Sequence, residues 1–104
     1  MERTISSLDL KLKLHEVTLI DVRRKADFDA DTSKLPNATW HDPEQIETWS
    51  AQLPKGKEVV LYCVRGGGVS NSVLDNLRGK GIAARFIEGG IVAWKEAGGE
   101  VVPQ

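Results

Sequence analysis

The chain has 104 residues, 40% of them hydrophobic, and 14 basic against 15 acidic side chains leave a net charge of -1. That length sets the expectation of a single domain over 1–104, and the near-neutral charge gives no electrostatic case for nucleic acid or an anionic membrane. The lone cysteine, Cys63, excludes a disulfide scaffold and a thiolate zinc site, and no apolar run approaches the roughly 20 residues of a membrane span. Met1-Glu2-Arg3-Thr4 opens no apolar leader, so the expected setting for this free thiol is the reducing cytoplasm.

The first segment is double-sided. Leu8, Leu10, Leu12 and Leu14 alternate with the two-residue period of a strand. Ser6 or Ser7 would equally cap a helix, and the Lys and Leu around them favour one. Residues 17–22 and 58–63 are nearly continuous apolar runs rich in β-branched side chains, as in strands covered on both faces of a parallel sheet. Residues 38–40 read as a short strand and 83–87 as a weaker one. The cluster Arg23-Arg24-Lys25 with Asp27, Asp29 and Asp31 reads as a solvated loop or helical turn with local ion pairs. Arg23 stands apart, because it closes a strand on the same sheet edge as Cys63.

Asp42 is a helix N-cap, Pro43 a first helical residue and Gln45 the closing member of a capping box, with Ile46, Trp49 and Leu53 on one face. Val69, Val73, Leu74 and Leu77 form a second helical stripe ended by Gly79. Ile91, Trp94 and Lys95 lead a third, ended by Gly98-Gly99. Strands alternating with helices predict an α/β fold with a mainly parallel central sheet, whose ligand site lies beyond the carboxyl ends of the strands.

Cys63 ends such a strand. The run Cys63-Val64-Arg65-Gly66-Gly67-Gly68-Val69 reads as cysteine, glycine-rich turn and helix start. Three glycines let main-chain N–H groups converge on an anion, and the helix that follows adds its own free N–H groups and dipole. A thiolate at that centre is a nucleophile, and Arg65 adds a cation beside it. A lone cysteine ending an apolar strand is most often an inert buried side chain. The three consecutive glycines and the adjacent cation favour the reactive reading. No Walker-type G-x-x-x-x-G-K-[ST] is present, and the glycines do not complete G-x-G-x-x-G. His15 and His41 read as ordinary surface residues, and Trp40, Trp49 and Trp94 as packing.

Five motifs in order resemble the rhodanese family of single-domain sulfurtransferases. They are Leu19-Ile20-Asp21-Val22-Arg23, Asp27-Phe28, Leu35-Pro36-Asn37-Ala38, Val59-Val60-Leu61-Tyr62-Cys63, and Ile87-Glu88-Gly89-Gly90 with Trp94. The likeness runs from about Ile5 to Gly99. It implies a parallel sheet with helices on both faces and a helical N-terminal segment. It also implies catalysis by Cys63, which would take a sulfane sulfur from a small anionic donor such as thiosulfate and pass it from a persulfide to cyanide or a thiol. Val64, Arg65, Gly66, Gly67, Gly68 and Val69 would cradle the substrate, Asp21 and Arg23 would brace the strand end, and neither cofactor nor metal is implied. The chain departs from many members at Gly68 and Val69, where they carry arginine and serine, so high thiosulfate turnover is not implied. The alternative is a catalytically weak module that binds a partner or senses redox state. A phosphatase of the same fold would need arginine six residues after the cysteine, and Val69 stands there.

Overall fold

The computed structural model describes residues 2–104. Five strands form one parallel sheet: β1 (Thr4–Ile5), β2 (Thr18–Asp21), β4 (Thr39–Trp40), β5 (Val59–Tyr62) and β6 (Ala84–Ile87). Their order across the sheet is β1-β6-β5-β2-β4, so β2 and β5 lie side by side in its interior. Successive side chains of a strand point to opposite faces. Val59 and Leu61 therefore join one core cluster, and Val60 and Tyr62 join the other. Both faces being covered is what makes the run continuously apolar.

One face carries α1 (Ser7–Lys11) and α5 (Gly90–Glu96), which contribute Leu10, Ile91 and Trp94. The other carries α3 (Ile46–Trp49) and α4 (Gly68–Gly79), which contribute Trp49, Val73, Leu74 and Leu77. The N-terminal segment is helical, as the family resemblance implies. Ser6 Oγ accepts from the Asp9 N–H at 3.1 Å, Leu10 is buried, and Leu8 and Leu12 face solvent. The charge cluster forms α2 (Lys25–Ala30), closed over by a Lys25–Asp29 ion pair at 2.9 Å.

Two expectations are corrected. The helix after Asp42 is three short pieces: a 3-10 turn (Pro43–Gln45), α3, and a second 3-10 turn (Ser50–Gln52). Asp42 does cap it, but its side chain accepts from the Glu44 N–H at 2.9 Å, while the Gln45 N–H donates to the Asp42 carbonyl at 2.9 Å. Leu53 is extended, at φ -67° and ψ 142°, because Pro54 disfavours helical backbone in the residue before it. A small antiparallel pair, β3 (Ser33–Lys34) with β7 (Val102–Pro103), lies outside the main sheet and was not expected. Among the described residues no helix is long and apolar enough to cross a membrane.

Candidate active site

Cys63 follows β5 directly and is 4% exposed, on the face of the sheet covered by α4. The chain then turns through residues 64–67 into α4. Gly66 makes the turn possible: its φ is +72°, and a Cβ there would stand 3.1 Å from the Gly89 N and 3.2 Å from the Ile87 oxygen. The turn thus packs against the connection between β6 and α5.

That packing orients the loop's peptides. The carbonyl of Cys63 accepts from the Ile91 N–H at 3.0 Å, and the carbonyl of Val64 from the Val92 N–H at 3.1 Å. In a trans peptide the N–H points opposite to the C=O. The N–H groups of Val64 and Arg65 are therefore aimed away from α5. Gly90 is the condition for this contact, since a Cβ on it would sit 2.5 Å from both the Cys63 and the Val64 oxygen. None of the main-chain N–H groups from Val64 through Ser70 has a hydrogen-bond partner among the described residues. Those in the first turn of α4 are unpaired by the nature of a helix start, and the helix dipole adds positive potential there.

An open depression of about 370 Å³ lies over this loop, with Cys63, Val64, Arg65, Gly67, Gly68 and Val69 on one side and Arg24 and Asp27 across from them. Five of the six loop residues expected to form a cradle are thereby placed together, and Gly66 stands behind them as the hinge of the turn. Arg65 is exposed and Val69 half-buried. The sequence reading missed Arg24, Asp27 and the role of Gly90. The signal for Arg24 was its place just past the end of β2, and the signal for Gly90 was the Gly89-Gly90 pair.

Asp21 and Arg23 lie apart from the depression. Arg23 is 1% exposed and grips Asp21 through Nε at 3.0 Å to both carboxylate oxygens and through a terminal nitrogen at 2.7 Å. It also donates to the Ser33 oxygen at 3.0 Å and lies 3.4 Å from Asp31. Burial works against its charge, but the bonds and charge of Asp21 prevail and raise the Arg23 pKa above its ordinary value. The neighbouring Tyr62 hydroxyl accepts from the Leu35 N–H at 3.3 Å, and burial, reinforced by the charge of Asp21, raises its pKa well above the usual phenol range. These groups tie the end of β2 to the segment holding β3.

His41 stacks on Trp49 with ring centroids 5.0 Å apart, and burial lowers its pKa. His15 shares a 2.9 Å contact with Asn37. Neither histidine lines the depression. Among the described residues no three His, Cys, Asp or Glu side chains are grouped to hold a metal ion.

A family model, the rhodanese-like domain, matches residues 4–97. A rhodanese-related protein of Thermoplasma volcanium superposes with a TM-score of 0.87 at 25% identity, over 99% of this chain and 100% of that one. A rhodanese-like domain protein of Staphylococcus aureus gives 0.80 at 28% identity, over 99% of each. An uncharacterised protein of Synechocystis sp. is 35% identical over 89 residues, or 79% of this chain. The match takes in 45% of that protein, so the chain spans about half the length of the curated relative.

Proposed function

This chain belongs to the rhodanese-like domain family, and from that premise we propose that it is a sulfurtransferase whose Cys63 carries a sulfane sulfur between a small anionic donor and a thiophilic acceptor. Family membership supports a sulfurtransferase-type or rhodanese-module role in general. The observation that carries the finer reading is the run of unpaired main-chain N–H groups from Val64 onward beside the thiol.

The Cys63 thiolate attacks the outer sulfur of thiosulfate. A bond forms between the two sulfurs as the donor's own S–S bond breaks, and sulfite departs with that bond's electron pair. The negative charge then resides on the terminal sulfur of a Cys63 persulfide. Fixed N–H donors serve this anion better than water would, because they need no reorganisation as the charge arrives. Arg65, exposed at the rim, draws in the doubly charged donor. An acceptor, cyanide or a thiolate, removes the outer sulfur and returns the electron pair to Cys63, completing a two-step covalent cycle.

Mass spectrometry of the intact protein tests this reading. After incubation with thiosulfate the wild-type chain is expected to gain one sulfur atom, and Cys63→Ser none. A wild-type mass that does not change rejects sulfur transfer from thiosulfate.

A further inference from the structure

The loop before β5 and the turn before β6 border an open hollow of about 670 Å³ at the amino ends of these strands. Cys63 follows the carboxyl end of β5, and the strand's four residues, at about 3.3 Å each, hold the two places roughly 13 Å apart. We propose that this hollow is a second ligand site, and that its ligand is a small amphiphilic anion: an aromatic or branched aliphatic body carrying a sulfonate, phosphate or carboxylate.

Size, lining and charge each point to that chemistry. Pockets for small molecules usually occupy about 300–1,000 Å³ and are walled mostly by apolar side chains. Here Leu53 and Ile82 are half-buried against the core cluster that α4 covers, and the exposed Ala83 continues their wall. Lys55, Lys57 and Lys80 line the same hollow. Lys55 and Lys57 are exposed and join no ion pair among the described residues. Lys80 lies 3.0 Å from Glu47. Glu58, the one acidic side chain among the lining residues, is held by Lys13 at 2.8 Å and Arg85 at 2.6 Å. Five cations thus stand with two carboxylates at this end of the sheet, a local excess in a chain whose overall charge is -1. The main-chain N–H groups of Lys55, Gly56 and Lys57 have no hydrogen-bond partner among the described residues, so free donors accompany the charge.

Neither half of such a ligand suffices alone. Sulfate or thiosulfate would leave the apolar wall in water, and a neutral hydrocarbon would leave the lysines without a partner. An ammonium is a compact point charge with rotatable donors, so the lysines accept anions of several shapes, and the wall selects the body. The site uses no residue of the thiol loop, so it is independent of sulfur transfer.

Isotope-labelled protein titrated with the dye anilinonaphthalene sulfonate should show saturable NMR shifts centred on Lys55, Lys57, Ile82 and Ala83, with the core signals unchanged. Sodium sulfate supplies the head without the body, and phenylnaphthylamine the body without the head. Each should bind at least about tenfold more weakly than the dye. Lys55→Glu combined with Lys57→Glu reverses the charge at two exposed positions, and Ala83→Trp fills the hollow from a third. Both variants should weaken dye binding about tenfold. If Ala83→Trp lowers the urea midpoint, Ala51→Trp, at another exposed residue of the same lining, takes its place. No saturation, shifts centred on the thiol loop or elsewhere, sulfate or phenylnaphthylamine binding as tightly as the dye, or an unchanged affinity in either variant overturns the site.

Discussion

β2 and β5 run side by side with Asp21 level with Tyr62, yet their carboxyl ends are finished in opposite ways. The end of β2 is closed. Arg23 spends its donors on Asp21 and Ser33, beneath Phe28 and beside Tyr62, with both partners of the pair out of solvent. The end of β5 is open, with N–H groups left unpaired and Arg65 in solvent. Polar groups of the first kind contribute to holding the fold, and those of the second kind are left unpaired by it. A single residue separates the two behaviours: Arg23 is sealed in, whereas Arg24 faces the thiol depression.

The largest test of that contrast is Arg23→Ala. It strands the Asp21 carboxylate in a fully buried position, and losing one member of a buried pair costs about 3–5 kcal/mol. Urea unfolding should show this as a lower midpoint with an unchanged slope, and a cost below about 1 kcal/mol would break the contrast. Arg65→Ala is the counterpart at the open end. Stability should stay within about 0.5 kcal/mol, while the KM for thiosulfate rises about tenfold and discharge to the acceptor is less affected. Equal effects on loading and discharge would deny Arg65 a special part in donor capture. The smallest effect concerns Asp31, which braces the closed end. Burial alone would raise its pKa, but the bonds from Lys95 and Ser33 prevail and hold it well below the usual carboxylate range. A carboxylate with a lowered folded-state pKa contributes stability above its unfolded pKa, about 4, and that contribution fades as the pH falls below it. Asp31→Asn should therefore flatten the acid limb of the stability curve, measured as urea midpoint against pH. An acid limb as steep as that of the parent chain would remove Asp31 from the brace.

Much of this architecture was legible in the residues. Continuous apolar runs identify β2 and β5 because a strand covered on both faces has no polar side to show. The N-terminal segment was ambiguous because Leu10 and Leu14 turn inward while Leu8 and Leu12 do not, and four leucines at alternate positions fit both periods. β1, β3 and β7 have two residues each, too few to carry any periodicity. The helical segment after Asp42 stops before Leu53 because Pro54 acts on that residue, a local effect that the wider apolar stripe concealed. At the candidate site, Cys63 and its glycines announced themselves, since backbone freedom leaves a mark in composition. The direction of the peptides did not, because it depends on Ile91 and Val92, far along the chain.

That dependence bears on synthesis. The two carbonyls that set the loop's orientation find their donors 28 positions later, Cys63 to Ile91 and Val64 to Val92. A chain emerging from the ribosome exposes its thiol well before the segment that aims the surrounding amides exists. Until α5 docks, nothing fixes the direction of the main-chain N–H groups that follow this sulfur.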